Sequence, residues 1–389
     1  MKNIFPVVVL LFCGTAHAAR TSFGTAMAQS GGTPGYLVGV ADAWASIFGN
    51  LGPGGAIAAR MTDAHNSDLA TFYDLVSIIG HNDTAITLFE TDRHIAASLD
   101  AYGMPLGRRR TGCQWTNSKC DPTRQVFTIE GTVFGGMNDF DSRKNGDFRT
   151  NTTGVSIRAN TFLTEGFALS IGYTRSMTDT HHGRIYTDAV SNGLVLAAQY
   201  YAANGMYLNV AATGGKTRWA NDKTVAGIVD SGDYDTEYMA GQVSGGIHLT
   251  RGHWVMTPHI GARYSYIRTD KHIDAAAQAF EKWFFNTITA MAGVMIEYEF
   301  TGVDYRLRPN IRLGGGYDAL RHGNSDVRVR VLSGQFYDVP VEVPARAVFQ
   351  GGLGLRLYAP MFSVGLEYQL DMRRDYTSHS GHVNLKISF

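Results

Sequence analysis

The sequence predicts an all-β transmembrane barrel of about twelve antiparallel strands, preceded by short helices. Stretches of alternating apolar and polar residues recur from Gln125 to the last residue, Phe389, and this alternation is typical of strands with one apolar and one wet face. Short and long connections alternate along the chain, which is typical of a membrane barrel with short periplasmic turns and longer extracellular loops. Charged residues oppose bulky apolar ones, which indicates a polar interior and an exterior that faces lipid.

The first 18 residues have the pattern of a secretory signal peptide. Lys2 precedes an apolar run from Ile4 to Phe12, and Ala16-His17-Ala18 is a small-x-small cleavage site. The apolar run is much shorter than the roughly 20 residues that a membrane-spanning helix needs. We therefore expect export, cleavage after Ala18 and residence in the bacterial outer membrane.

Residues 19–33 are rich in Gly, Ser and Thr, which predicts a flexible N-terminal segment. Residues 34–124 predict a short helical passenger or plug region, because apolar residues recur there at helical spacing. The last of these helices is expected near 83–102. The residues at helical spacing are Leu37, Val40, Trp44 and Ile47, then Leu69, Phe72, Val76 and Ile79, and finally Ile86, Phe89, Ile95 and Leu99.

Two cysteines, Cys113 and Cys120, remain once the signal peptide with Cys13 is removed. In an exported chain such a nearby pair favours one local disulfide, and two free thiols are the alternative. A two-ligand metal site lacks further partners.

Residues 125–389 predict the barrel itself. Tight turns are expected at "LTEG", "AANG", "TRG", "TGVD" and "APM", and longer connections at 138–148, 177–187, 218–233, 269–283, 319–344 and 373–380. The strands are predicted near 125–137, 149–163, 167–176, 188–202, 205–217, 234–250, 253–268, 284–300, 304–318, 345–359, 361–372 and 381–389.

The two faces of these strands predict which side chains meet lipid and which meet the lumen. The last strand, for example, places Val383, Leu385, Ile387 and Phe389 on one face. Aromatic interfacial belts are expected from Trp219, Tyr234, Trp254, Tyr266, Trp283, Phe284, Tyr298, Phe300 and Tyr358. The candidates to face the lumen are Arg158, Glu237, Arg263, Glu297, Arg312, Arg346, Arg356, Glu367 and Lys386.

The composition argues against other classes of function. The formal net charge is zero, which does not favour a nucleic-acid partner. The segments "GGLGLR" and "GQVSGG" lack the context or spacing of a phosphate loop or a nucleophile elbow. His181 and His182 have no further ligands at metal-binding spacing. We therefore expect no catalytic residues, no metal and no cofactor, and a protein that is not an enzyme.

The stretch "QVFTIEGTVFGG…TTGVSIRANTFLTEGFALSIGYTRS" and the closing "YTSHSGHVNLKISF" resemble the translocator domain of autotransporters, the type V secretion family. The resemblance covers roughly residues 125–389. It implies a twelve-strand barrel in the outer membrane, a helix in its pore and an N-terminal passenger outside. We therefore expect the helix near 83–102 to occupy the pore. It also implies that the barrel-assembly machinery reads the strand that ends with Val383, Leu385, Ile387 and Phe389.

The sequence departs from this family in its short N-terminal region, which shows no repeat that would build a solenoid. A vestigial passenger, a pore plug and a small periplasmic subdomain stay open as its role. The leading hypothesis is a barrel that passes or exposes its own N-terminal segment. The alternatives are a surface adhesin or structural barrel that binds an extracellular ligand through its long loops, especially 319–344, and a passive diffusion pore.

Overall fold

The computed structural model describes residues 84–103, 127–141, 147–182, 185–225, 228–273, 278–331, 336–359 and 361–389. The signal peptide, the flexible segment, the first two predicted helices and the Cys113–Cys120 loop lie outside these residues and stay predictions. The helix predicted near 83–102 is present as α1, Thr84–Gly103. Within the described part of the chain, no helix has both the length and the apolar character that crossing a membrane requires.

Twelve long strands form one antiparallel sheet that closes on itself, as the sequence predicts. Each strand pairs with the next along the chain, and the last pairs with the first. The strands are β1 (Phe127–Phe140), β2 (Phe148–Phe162), β3 (Phe167–His182), β4 (Ile185–Tyr201), β5 (Met206–Val225), β6 (Ile228–Ile247), β7 (Trp254–Thr269), β8 (Trp283–Tyr298), β9 (Arg306–Gly323), β10 (Ala347–Tyr358), β11 (Phe362–Arg373) and β12 (Tyr376–Ser388).

The seam between β1 and β12 explains why the sequence can end on an aromatic residue. Val133 lies opposite Val383 in this pairing, and the amide of Phe389 donates a hydrogen bond of 3.0 Å to the carbonyl oxygen of Phe127. The rings of these two phenylalanines lie 6.3 Å apart. Closure removes the sheet edge, whose unpaired backbone groups hydrocarbon could not satisfy.

The periplasmic turns lie where the sequence predicts them, and two of them depend on glycine. Gly205 and Gly252 have φ angles of +88° and +60°, a backbone conformation that residues other than glycine rarely adopt. A short strand, Leu249–Arg251, extends the second of these turns by pairing with the start of β7. Another, Phe300–Thr301, pairs with the start of β9.

The extracellular connections are shorter than predicted in three places, which corrects the loops at 177–187, 218–233 and 373–380. Strands β3 and β4 pair up to His182 and Ile185, and β5 and β6 pair up to Val225 and Ile228. The residues there are polar on the outer face, so their composition resembles that of a loop. Above the lipid, however, a ladder can continue with polar side chains on a wet face.

Two of the three connections that remain, at 269–283 and 319–344, build a second, smaller sheet at the extracellular end. Its strands are Gln278–Phe280, flanked by His272–Ile273, and Asp326–Val331, paired with Phe336–Pro340. Val327, Val329 and Val339 are buried in it. Ordered structure therefore occupies parts of the predicted loops 269–283 and 319–344.

The barrel wall is apolar outside and largely polar inside. Val133, Ile260 and Leu353 are 60%, 69% and 59% exposed on the outer face, whereas Asn160 and Thr257 are buried on the inner face. Three residues predicted for the aromatic belts, Trp219, Tyr234 and Trp283, instead lie buried inside. Trp254 and Phe300 are exposed and both contact Tyr298, forming part of a belt at the periplasmic end.

Candidate functional site: the helix-filled lumen

The helix α1 fills one side of the lumen and packs against β3 to β7. It carries polar residues on several faces, including Thr87, Glu90 and His94, and all three are buried. In water such a helix would have no single apolar stripe to bury. A lumen with polar walls surrounds it and supplies partners for these side chains.

The extracellular half of α1 is enclosed by an aromatic collar. Phe89 is the centre, with ring centroids 5.5 Å from Phe140, 6.4 Å from Phe148 and 4.2 Å from Tyr376. The collar consists of Ala85, Ile86, Phe89, Phe140, Phe148, Ala189, Trp219, Tyr234 and Tyr376. This part of the lumen is therefore an apolar seal, which differs from the uniformly hydrated lumen expected from the sequence.

Directly beneath the collar, the carboxylate of Glu90 accepts three hydrogen bonds from the wall. Asn138 Nδ2 and Thr152 Oγ1 donate at 3.1 Å each, and Thr150 Oγ1 donates as well. Burying a carboxylate is costly unless donors surround it, and hydrogen bonds to a charged group contribute about 1.5–3 kcal/mol each. Glu90 therefore fixes the height of α1 against β1 and β2.

Two further contacts fix the rotation and direction of α1. Thr87 Oγ1 and Tyr234 Oη are 2.8 Å apart, and His94 Nδ1 lies 2.7 Å from Ser176 Oγ. The ring of Tyr238 contacts the His94 ring edge to face, with 5.4 Å between centroids. Tyr238 fits because Gly215 has no Cβ, which would lie 2.5 Å from the tyrosine hydroxyl.

Farther toward the periplasmic end of the lumen, α1 forms an ionic contact with the barrel wall. Asp92 lies 3.7 Å from the guanidinium of Arg263, and Ser265 Oγ donates to the same carboxylate at 3.3 Å. Beside this contact, a cavity of about 80 Å³ separates α1 from the wall formed by β8 to β11. Asp92, Arg263, Asp318, Val343 and Pro344 are among its lining residues.

The segment 341–346 covers this cavity from the extracellular side, and a polar clamp holds it there. Both carboxylate oxygens of Asp375 accept from the amide of Ala345 at 3.0 Å. Arg321 and Arg373 donate to the carbonyl oxygen of the same residue. Both guanidinium groups are in turn ion-paired with Asp318. Sequence reasoning missed this clamp, because its central partner is a backbone group.

Seven of the nine lumen candidates point into the barrel: Arg158, Arg263, Glu297, Arg312, Arg356, Glu367 and Lys386. Some of them form ion pairs with one another or with a neighbour. Glu367 lies 3.1 Å from Arg312 and is also paired with Arg356, and Arg158 is paired with Glu130. These pairs lie on the periplasmic side of α1 and line the lower lumen.

The other two candidates correct the prediction. Glu237 is exposed and shares the outer face of β6 with Asp235 and Met239, because its neighbour Tyr238 turns inward to contact α1. Arg346 lies one residue before β10 and is exposed at the extracellular rim. Its guanidinium donates to the carbonyl oxygen of Asp318 at 3.4 Å.

In the described residues, no group of three or more His, Cys, Asp or Glu side chains is placed to hold a metal ion. His181 is exposed on the outer face and contacts the ring of Tyr186. The arrangement in the lumen is therefore one of packing, hydrogen bonds and ion pairs that hold a helix in place.

A closed twelve-strand barrel that carries a helix in its lumen defines this chain as an outer-membrane translocator barrel. The chain belongs to the autotransporter beta-domain family, whose sequence pattern matches residues 130–369. This confirms the resemblance seen in the sequence and places the protein in the bacterial outer membrane.

Solved structures agree with this fold. The translocator domain of the autotransporter NalP from Neisseria meningitidis aligns with a TM-score of 0.62 and 14% identity, covering 78% of this chain and 98% of that domain. The β domain of the Bordetella autotransporter BrkA aligns with a TM-score of 0.52 and 13% identity, covering 68% and 100%. At these identities the likeness shows the fold alone.

Among curated proteins, Outer membrane protein A of Rickettsia conorii is 21% identical over 267 residues. The match covers 62% of this chain but 13% of that protein. Outer membrane protein A of Rickettsia rickettsii gives the same identity over 12% of its length. The chain therefore spans only a small part of the length of these relatives.

Proposed function

We propose that this barrel places its own N-terminal segment on the outer surface of the cell, and that α1 remains in the lumen as a plug. The observation that supports this most directly is the direction of α1. Thr87, near its start, contacts Tyr234 close to the extracellular end of β6, whereas Asp92 reaches Arg263, farther down β7. The helix thus runs from the extracellular end toward the periplasmic end.

This direction determines where the chain before α1 would emerge. Residues that precede Thr84 leave the helix at the extracellular mouth, on the same side as the second sheet. The residues that follow Gly103 lead back to β1, whose first residue Phe127 pairs with Phe389 at the periplasmic rim. A chain with both its barrel start and its barrel end at the periplasmic rim must cross the lumen once to reach the outside.

The filling of the lumen supports a plug rather than a passive diffusion pore. The aromatic collar packs around the extracellular half of α1, and the 341–346 segment covers the cavity beside this helix. We propose a non-enzymatic role, in which the ion pairs and hydrogen bonds of the lumen serve only to hold α1.

The outer face of β12 supports recognition by the barrel-assembly machinery. Val383, Leu385, Ile387 and Phe389 are 49%, 46%, 38% and 58% exposed, so that an apolar row with a terminal aromatic residue faces outward. Before closure, this row would be available to a partner that pairs with strand edges.

An epitope inserted after Thr33 tests the proposal. Intact cells would be treated with protease or antibody, and a second epitope in the periplasmic turn at Asn204 would serve as the matched control. We expect the first epitope to be accessible and the second to be protected until the outer membrane is opened. Equal protection of both epitopes in intact cells, with the barrel folded, would overturn the proposal.

One observation favours the adhesin hypothesis as a second candidate. In the extracellular sheet, Phe336 is 53% exposed, and the guanidinium carbons of Arg328 and Arg330 lie 6.0 and 5.7 Å from its ring centre. Such an exposed aromatic and cationic face suits a protein or glycan ligand. Phe336→Ala with Arg330→Ala should then reduce adhesion of expressing cells, while the barrel remains assembled.

A further inference from the structure

The outward-facing basic residues of the barrel are confined to one wall. In the twelve barrel strands, every lysine or arginine that points outward lies on β2, β3, β5 or β7, whereas the lysines and arginines of β9 to β12 turn to the lumen and β8 has none. The outward set consists of Arg149, Arg175, Lys216, Arg218 and Arg268. Within the twelve barrel strands, the outward cationic groups therefore lie on this wall, while Arg251 belongs to a periplasmic turn and Arg328 and Arg330 belong to the second sheet.

Within this wall, the outward cations of β3, β5 and β7 lie in one cross-strand row, which we call the boundary row. Arg175 lies opposite Asn192, and Asn192 lies opposite Lys216 on the next strand. The row continues through Glu237 to Arg268. Three cations and one carboxylate give this row a net charge of +2, while Asp179, Asp188 and Asp233 lie in a higher row.

The row directly below is apolar, whereas the row directly above is mixed and consists of Met177, Val190, Arg218 and Asp235. The apolar row consists of Tyr173, Leu194, Gly214 and Met239 in register. Leu194 and Met239 are 63% and 58% exposed. Tyr173 donates its hydroxyl to Asn192 Oδ1 at 2.6 Å, which links the two rows as interfacial tyrosines do. Acyl chains would cover the lower row and headgroups the upper one.

The cations of the boundary row differ in how strongly they are already engaged. Arg268 donates two hydrogen bonds to Asp270, at 3.1 and 2.8 Å. These bonds hold the pKa of the Asp270 carboxyl below its ordinary value. Arg175 is exposed and makes no ion pair with another residue of the part of the chain that the structure describes. Lys216 is paired with Asp235 at 2.8 Å but remains 56% exposed, so it keeps N–H donors for a second acceptor.

We propose that Arg175 and Lys216 form a binding site for a phosphorylated lipid of the outer leaflet. Its phosphate would accept hydrogen bonds from both cations, and its acyl chains would run down the wall over Tyr173, Leu194 and Met239. One strand separates the two cations, so their backbones are about 10 Å apart. Both side chains are long enough to converge on one phosphate group from opposite sides.

The site would secure the barrel at a fixed depth and rotation relative to the outer leaflet. Basic residues near an anionic headgroup contribute about 1 kcal/mol each, so the pair should strengthen binding roughly thirty-fold. Asp235 and Glu237 limit the site to ligands with enough negative charge to compete for Lys216. The proposal depends on residence in the outer membrane and not on exposure of the N-terminal segment.

Binding of lipid A to the purified full chain in zwitterionic detergent tests the site. The probes are bis-phosphorylated hexa-acyl lipid A, its dephosphorylated form and inorganic phosphate, with bound lipid counted by native mass spectrometry. Arg175→Gln with Lys216→Gln is the test variant. Arg149→Gln with Arg218→Gln removes the same charge from the same wall and is the matched control, because both residues lie above the boundary row and are paired with Asp139 and Asp233.

We expect the wild type and the control to prefer phosphorylated over dephosphorylated lipid A by at least tenfold, and the test variant to lose this preference. An unchanged preference in the test variant, or an equal loss in the control, would refute the site. Equal binding of inorganic phosphate that depends on the same two residues would indicate an anion site and overturn the lipid assignment. Folding is checked for each variant by its heat-modifiable mobility on gels, which is independent of the surface-exposure experiment.

Discussion

The ring of Phe89 on the pore helix meets the ring of Tyr376 edge to face, with 4.2 Å between centroids and 72° between planes. Tyr376 is the first residue of β12, the strand that closes the barrel against β1. The helix therefore packs against one of the two strands that form the seam of the barrel. Because α1 contacts Tyr376 on β12, it can make all of its contacts with the wall only when β12 is paired in the complete barrel.

Phe89→Ala should open the extracellular seal. Loss of a ring that contacts three other aromatic residues costs about 3–5 kcal/mol in packing, and most of this cost would fall on the docking of α1. We expect a higher single-channel conductance in planar bilayers. Phe349→Ala is the matched control, since Phe349 is 51% exposed on the outer face, and its conductance should equal that of the wild type.

Glu90→Ala should loosen α1 without affecting the barrel. The substitution leaves Asn138, Thr150 and Thr152 without their shared acceptor, at a cost of about 3 kcal/mol. Hydrogen exchange of the amides in Thr84–Gly103 should accelerate roughly a hundredfold, because local opening sets their protection. Glu237→Ala, on the outer face, should leave this protection unchanged, and slow exchange in both variants would contradict the role of Glu90.

Asp318→Asn should release the 341–346 segment. Asp318 neutralises Arg321 and Arg373, and removal of one partner from a buried ionic cluster costs about 3–5 kcal/mol. The amide of Ala345 should then exchange faster, and a cysteine at Val343 should react with a maleimide. Asp338→Asn breaks an exposed pair with Arg328, whose loss costs about 0–1 kcal/mol, so this control should show neither change.

The level of the lipid boundary can be checked with two cysteines on the same face of β6. In a Cys113→Ser, Cys120→Ser background, Glu237→Cys should react with a membrane-impermeant maleimide on intact cells. Met239→Cys, two residues farther down the strand, should not, because acyl chains cover it. Labelling of both would contradict the position of the boundary row, and labelling of neither would contradict the outward exposure of Glu237.

Alternation in the sequence was sufficient to predict the twelve strands, the turns and the closing seam, because lipid and lumen impose opposite polarity on successive residues. That constraint ends where the lipid ends. Beyond the boundary row, polar residues such as Asp179 and Asp233 occupy the outer face, so paired strand has the composition of a loop. The strand ends in β3 to β6 were underestimated for this reason.

The same loss of constraint explains why some side chains were predicted to face the wrong side of the barrel wall. Near the extracellular end, Trp219 and Tyr234 turn inward because α1 offers them an apolar surface. The alternation of residues within one strand does not indicate that a helix lies in the lumen. For Glu237 a usable signal existed, since Asp233, Asp235 and Glu237 are in phase with Met239 and Val243. When the alternation of the lipid-facing residues is extended toward the extracellular end of β6, it places Glu237 on the outer face.

The unequal lengths of the strands give the barrel an oblique rim. β5 and β6 have 20 residues each, whereas β10 and β11 have 12. Eight additional residues at about 3.3 Å each, tilted by about 40°, raise one side by roughly 20 Å. On the low side, the strands Asp326–Val331 and Phe336–Pro340 connect β9 to β10, so the second sheet adds height at the extracellular end where the barrel strands themselves are short.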